Sequence, residues 1–152
     1  MTLQPLTHAL PDVQATLDLG ARLAARLKAG DTVFLIGDLG AGKTTLARGL
    51  IGAACDADEV PSPTYTIIQS YETRDGSELL HADLYRIEDA QDLDELGLED
   101  AFDGAIVLVE WPDRLEDRAP SHRLDIHLEA GETQRIARIV AHGDWGDRLV
   151  GL

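Results

Sequence analysis

The sequence predicts an α/β domain organised around one strand-loop-helix unit, and three observations carry that prediction. The first is the stretch over residues 32–50, TVFLIGDLGAGKTTLARGL, which starts with a short, β-branched apolar run at 33–36. It turns through Gly37, Gly40 and Gly42 into a segment where Thr45, Leu46, Ala47 and Leu50 recur at helical spacing. The second is a five-residue apolar run at 105–109 that ends on Glu110, the pattern of a buried strand. The third is the alternation of apolar residues over 121–128 and 134–141, either side of Ala130-Gly131-Glu132-Thr133. That pattern predicts a late hairpin extending the sheet.

The other elements follow in chain order. Residues 3–9 predict a short edge strand, made imperfect by Pro5, which has no N–H to donate. Beyond Pro11, the residues Val13, Leu17, Leu19, Leu23, Ala24 and Leu27 recur near helical spacing. Pro11 is placed to start this helix, Arg26 and Lys28 to complement its C-terminal dipole, and Gly30 to stop it. After the loop helix, a polar acidic connection at 55–59 leads to Pro61-Ser62-Pro63-Thr64-Tyr65-Thr66. Two prolines one residue apart forbid a helix and favour an extended, ordered loop. Its hydroxyls suit a switch-like segment that senses a terminal phosphate or its metal; a stiff turn is the plainer alternative.

Residues 66–71 and 78–84 flank Thr73-Arg74-Asp75-Gly76, whose Asp-Gly pair predicts a hairpin. Residues 88–103 carry acidic side chains and no basic one, with Ile87, Leu93, Leu96, Leu98, Ala101 and Phe102 forming an apolar face for one or two short helices. The acidic run reads as a solvated face in preference to a docking surface for a basic partner. In the tail, Trp145, Leu149 and Val150 are expected to pack back on the body.

Composition narrows the function. The 152 residues, 44% of them apolar, suit one domain over 1–152 with a modest core. A net charge of -15, from 28 Asp and Glu against 13 Lys and Arg, argues against direct grip on a nucleic acid. A nucleic-acid substrate would have to be held by a partner. Cys55 stands alone, which excludes an intramolecular disulfide and a cysteine metal cluster. His122, His127 and His142 lack a zinc spacing. No basic, apolar leader follows Met1 and no apolar run is long enough to span a bilayer, so a cytoplasmic protein without membrane attachment is expected.

The chemistry is concentrated in the glycine loop. Gly37, Gly42, Lys43 and Thr44 fill every fixed place of G-x-x-x-x-G-K-[ST], between a strand and a helix as that motif requires. A polyphosphate needs several donors converging on it, and a loop poor in β-carbons lets backbone N–H groups approach closely. Asp38, Leu39, Gly40, Ala41, Gly42, Lys43, Thr44 and Thr45 are therefore the expected nucleotide cradle. Lys43 would reach the β- and γ-phosphates, and the Thr44 hydroxyl would coordinate Mg²⁺. Glu110, at the C-terminal end of a buried strand, has the best claim to be the carboxylate that supports the metal or its water shell. Asp83, at another strand end, is a candidate second carboxylate or water-orienting group, although such a residue is more commonly a cap or turn residue. The sequence leaves open whether Arg74, Arg86 or a partner supplies further positive charge.

Taken together, Gly37-Asp38-Leu39-Gly40-Ala41-Gly42-Lys43-Thr44-Thr45, Ser62-Pro63-Thr64-Tyr65, His81-Ala82-Asp83-Leu84-Tyr85-Arg86 and Val109-Glu110-Trp111-Pro112 resemble the TsaE family in order, spacing and overall length. The resemblance implies a three-layer P-loop NTPase-like α/β fold with a central mixed β-sheet flanked by helices. It implies ATP and Mg²⁺ as ligands and association with TsaD and TsaB, which transfer a threonylcarbamoyl group to adenosine 37 of tRNA. The tRNA would be met only indirectly, through those partners. In that family the protein hydrolyses ATP and resets the complex between turnovers. Because a small domain with few arginines offers little transition-state charge beyond Lys43 and the metal, slow hydrolysis accelerated by a partner is the expected behaviour. Carried over by residue, Lys43 would hold phosphates, Thr44 and Glu110 would hold Mg²⁺, Asp83 would sit by the metal or the attacking water, and Thr64 would be the switch-loop hydroxyl. Tyr65 stands where the family often has Phe.

Rival readings make distinct demands. A small-molecule kinase needs an acceptor pocket and a basic lid, and no arginine-rich segment after the loop helix resembles one. A GTPase needs an asparagine in its guanine-reading motif, and this chain contains none. A non-catalytic docking module would bind ATP without turnover, even with its partners present.

Overall fold

The computed structural model describes residues 6–38, 42–55, 68–87, 92–93, 97–131 and 133–152. In chain order the strands are β1 (Leu6–Leu10), β2 (Thr32–Ile36), β3 (Ile68–Glu72), β4 (Glu78–Asp83), β5 (Ile106–Glu110), β6 (Arg123–Ala130) and β7 (Arg135–His142). The helices are α1 (Val13–Ala24), α2 (Lys43–Cys55) and α3 (Leu98–Gly104), with a 3-10 turn over Pro112–Arg118. The strands form one sheet in the order β1-β7-β6-β2-β5-β4-β3. Strands β6, β2, β5 and β4 run parallel, while β7 and β3 are antiparallel to their neighbours. The sheet is therefore mixed, as the resemblance implies.

Because successive side chains of a strand alternate faces, each buried strand supplies two cores. Val33, Leu35, Ile106, Leu108 and Leu79 pack with Leu124, Ile126, Leu128 and Ile139 under Leu19 and Leu23 of α1 and Leu46, Leu50 and Ile51 of α2. Phe34, Val107, Val109 and Ala82 point to the opposite face, under Leu98 and Phe102 of α3 and Leu115. The result is three layers. The hairpin expected around Asp75-Gly76 is present as β3–β4, and Ile87, Leu93, Leu98 and Phe102 are buried as their spacing suggests. Leu96 and the acidic residues 88–89 and 94–95 lie outside the described residues. No described helix is long and apolar enough to cross a membrane.

Helices α1 and α2 cross through reciprocal glycines. A Cβ on Gly20 would lie 2.5 Å from the Leu46 carbonyl oxygen, and one on Gly49 would collide with the Leu17 carbonyl. Both obstacles are backbone and cannot swing aside.

Two expectations for α1 are corrected. Its N-cap is Asp12, not Pro11: the Asp12 carboxylate accepts the Ala15 N–H at 2.8 Å. The helix ends at Ala24, so Arg26 and Lys28 lie beyond it and do not serve its dipole. The Arg26 guanidinium instead donates to the Arg148 and Val150 carbonyls at 2.6 and 2.7 Å, fastening the C-terminal tail. Trp145 and Leu149 join the core as expected, but Val150 is 72% exposed, because that tail segment presents its carbonyl to Arg26 and its side chain to solvent.

Asp31, just before β2, is the hub of this fastening. It is buried and accepts from Arg148 at 2.6 and 3.0 Å, the Lys28 N–H at 2.8 Å and His122 at 2.8 Å. Burial by itself would raise its pKa, but the bonds from Arg148, His122 and Lys28 outweigh that and hold the carboxyl below its ordinary value.

Two predictions follow from these contacts. Alanine is the better helix former by about 1 kcal/mol, so Gly52→Ala, whose added Cβ meets no described atom within 4 Å, should raise the urea midpoint. Gly49→Ala, three residues earlier on α2, should lower that midpoint, with a loss of stability of about 1–3 kcal/mol, because the backbone clash exceeds the propensity gain. For Asp31, a carboxyl held below its unfolded pKa stabilises the fold at neutral pH, and that stability is lost as pH falls from about 4 through the folded value. The stability difference between wild type and Asp31→Asn, measured by urea unfolding, should be largest near neutral pH and shrink below about pH 4.

Candidate functional site

Strand parity decides what stands at the C-terminal edge of the parallel strands. On β4, Leu79, His81 and Asp83 share one face; on β5, Ile106, Leu108 and Glu110 share the same face; and the register pairs Asp83 with Glu110 and Glu110 with Leu35 of β2. That face is the one covered by α2, whose first residues are Lys43 and Thr44. Two strand-end carboxylates therefore meet the start of the loop helix.

The polar groups here are deeply placed. Lys43 is 4% exposed, Glu110 3% and His81 1%. The Lys43 ammonium donates to the Gly37 carbonyl at 2.7 Å and lies 3.6 Å from the centroid of the Trp111 ring. Thr44 Oγ1 donates to Glu110 Oε1 at 3.4 Å, and His81 Nε2 is 2.8 Å from Glu110 Oε2. With Nε2 engaged on the carboxylate, His81 Nδ1 finds no hydrogen-bond partner among the described residues. Burial pushes the Lys43 ammonium pKa down, opposed by the charges of Glu110, Asp83, Asp38 and Asp113. Burial, reinforced by the Glu110 charge, pushes the Asp83 carboxyl up against the Tyr85 N–H bond and the charges of His81 and Lys43.

These groups line a cleft of about 310 Å³ bounded by Gly42, Lys43, Thr44, Thr45, Asp83, Tyr85, Glu110, Trp111 and Arg135. Six of the sequence-expected residues, Gly42, Lys43, Thr44, Thr45, Asp83 and Glu110, are thus brought together. Asp38 is exposed and contributes charge near Lys43. Leu39, Gly40 and Ala41 of the loop, and Thr64 with the rest of 61–66, lie outside the described residues. Neither arginine considered from sequence lines the cleft: Arg86 is exposed elsewhere, and the Arg74 N–H bonds the Ala54 carbonyl at the far end of α2.

Sequence reasoning missed four lining or supporting residues. His81 was detectable, since strand alternation puts it on the face of Asp83. Tyr85 and Trp111 pack together, with ring centroids 5.0 Å apart. Trp111 is also the one non-glycine residue with positive φ among the described residues, at 62°. A bulky residue there costs about 1–3 kcal/mol, and the turn it makes directly after Glu110 lays the indole on Lys43. Arg135 arrives from the start of β7, nearly a hundred residues from the loop.

The donor set suits a hard divalent cation. Thr44 Oγ1 and Glu110 Oε1 lie 3.4 Å apart, wider than the roughly 3 Å between neighbouring oxygen ligands on octahedral Mg²⁺, so the two would draw together slightly on a shared ion. Among the described residues no group of three His, Cys, Asp or Glu forms a closed cage. Mg²⁺ commonly takes only one or two carboxylates and fills its remaining positions with phosphate oxygens and water.

Residues 10–139 match the family model described as threonylcarbamoyl adenosine biosynthesis protein TsaE. The tRNA threonylcarbamoyladenosine biosynthesis protein TsaE of Haemophilus influenzae is 32% identical over 97% of both chains. Its namesake in Bacillus subtilis is 42% identical over 80% of this chain and 76% of the relative, and that of Mycobacterium tuberculosis 39% over 81% and 78%. The crystal structure of Bacillus subtilis YdiB superposes with a TM-score of 0.76 at 32% identity, covering 94% of this chain and 88% of that one. The chain belongs to the TsaE family of threonylcarbamoyl adenosine biosynthesis proteins.

Proposed function

We propose that this protein is the ATPase subunit of the cytoplasmic machinery that places N6-threonylcarbamoyladenosine at position 37 of tRNA. It binds Mg-ATP in the cleft between the start of α2 and the ends of β4 and β5. It hydrolyses ATP slowly, faster with TsaB and TsaD, and so resets the threonylcarbamoyl-transfer complex between turnovers. The observation that carries this reading is the convergence of Lys43, Thr44, Glu110 and Asp83 on one cleft. A net charge of -15 supports the partners, not this chain, as the holders of tRNA.

Each residue has a definable task. The Lys43 ammonium, steered by the Gly37 carbonyl and the Trp111 face, binds phosphate oxygens, and its own burial strengthens that attraction. Thr44 Oγ1 and Glu110 Oε1 would hold Mg²⁺, which would supply neutralisation of the developing phosphate charge. His81, by holding Glu110 Oε2, leaves Oε1 aimed at the cleft. Asp83, its pKa raised, is positioned to orient a water molecule and accept a hydrogen bond from it.

Phosphate release from Mg-ATP by the purified chain should be slow and should rise when TsaB and TsaD are added. Lys43→Ala and Glu110→Ala should each lower the stimulated rate by about a hundredfold or more. Transfer of phosphate to a metabolite would instead favour a kinase, and binding without turnover in the full complex would favour a docking module. His81→Ala should raise the Mg²⁺ concentration giving half-maximal turnover by about tenfold or more, with excess Mg²⁺ restoring much of the rate. A variant inactive at every Mg²⁺ concentration would contradict the positioning role.

A further inference from the structure

The charge balance of the cleft is unfavourable to an anion. Glu110, Asp83, Asp38 and Asp113 all act on Lys43, and a nucleoside triphosphate brings several further negative charges. One ammonium and one Mg²⁺, which the carboxylates themselves attract, are thin compensation.

The topology supplies another cation. Strand β6 lies parallel to β2, so its C-terminal end is at the same edge of the sheet as the phosphate loop, and β7, antiparallel to β6, begins at that edge. The first residue of β7 is Arg135, paired with Ala130. Parity puts Arg135 on the face of Ala137, Ile139 and Ala141, which is the α2 face. A Cβ built on Gly42 would lie 3.2 Å from Arg135 Nη1 and 3.6 Å from its Cδ, so stem and guanidinium both lie against the loop's last glycine. Arg135 lines the same cleft as Lys43 and Glu110.

We propose that Arg135 is a phosphate-contacting residue: its guanidinium holds the polyphosphate of the nucleotide from the β7 side of β2, opposite the carboxylates of Glu110 on β5 and Asp83 on β4. This rests on the nucleotide reading of the cleft given above. A planar guanidinium offers paired donors that match a phosphate, which a lysine ammonium does not. Arg135 has contacts of its own, as a strand arginine commonly does; what marks it is its place against Gly42, the last glycine of the loop. Arg138 provides the internal contrast, being three residues further along β7, exposed, and on the opposite face of the sheet.

The test is calorimetric titration of the full chain with Mg-ATP, comparing wild type with Arg135→Gln, Arg135→Lys, Arg138→Gln and Lys43→Ala, each first checked by thermal melting. Arg135→Gln should weaken binding by about tenfold to a hundredfold, Arg135→Lys should recover part of the loss, and Arg138→Gln should bind as wild type does. The affinity of wild type should also fall more steeply with salt than that of Arg135→Gln. If Arg135→Gln binds as tightly as wild type, or loses no more than Arg138→Gln while Lys43→Ala fails to bind, the assignment of Arg135 is overturned and the nucleotide site stands. If wild type itself binds no Mg-ATP, both readings fall together.

Discussion

The parallel pairing that sets Leu35 of β2 beside Glu110 of β5, and Glu110 beside Asp83 of β4, is the constraint on which the site depends. Because side chains alternate along a strand, a slip of one residue in β5 would turn Glu110 away from α2 and toward α3, and would send Val109 into its place. The apolar neighbours prevent this. Ile106 and Leu108 fit under α1 and α2, Val107 and Val109 under α3 and Leu115, and a one-residue slip would reverse both faces. The hydrophobic cores thus aim a carboxylate, and each buried leucine that enforces the register is worth about 2–5 kcal/mol against truncation to alanine.

The same edge is where the fold departs from what stability alone would choose. A buried lysine and glutamate and a left-handed tryptophan line one cleft, with a buried histidine bonded to the glutamate. Each of these is costly in a protein interior unless partnered. Partners are present for each: the Gly37 carbonyl and the Trp111 face hold Lys43, His81 holds one oxygen of Glu110, and the Thr44 hydroxyl meets the other at 3.4 Å. Far from the cleft, Asp31, Arg26 and Arg148 tie the tail beneath the strand that carries the loop, so the scaffold is closed by polar bonds on the side where no ligand is needed.

How much was legible in the sequence depended on how local the cause was. The loop motif, Glu110 at the end of an apolar run and the Asp75-Gly76 hairpin are each written in a few consecutive residues. The hairpin and the strand ending at Glu110 are found where expected, and the motif's fixed residues, Gly37, Gly42, Lys43 and Thr44, run from the end of β2 into the start of α2. Asp83 was legible as a strand end, but its company with Glu110 depended on β4 pairing with β5. His81 had a readable signal in its alternation with Asp83, yet its meaning required the same pairing. Arg135 carried no local signal, because only the parallel docking of β6 on β2 returns the start of β7 to the loop. The positive φ of Trp111 is likewise invisible to composition or periodicity. The helix end at Ala24 was misplaced because Arg26 is claimed by tail carbonyls more than a hundred residues later, a contact no helical pattern encodes.

The central claim is that this cleft recognises the phosphates of a nucleotide through Lys43 and a divalent ion. The most direct measurement is the urea unfolding midpoint of the chain with Mg-ATP, with ATP plus a chelator, and with adenosine. A ligand held only by the folded state adds about 2.7 kcal/mol at a hundredfold excess over its Kd. Stabilisation of that kind by Mg-ATP, reduced without the metal and absent with adenosine, is the predicted result. No shift with Mg-ATP, or an equal shift with adenosine, would contradict the account.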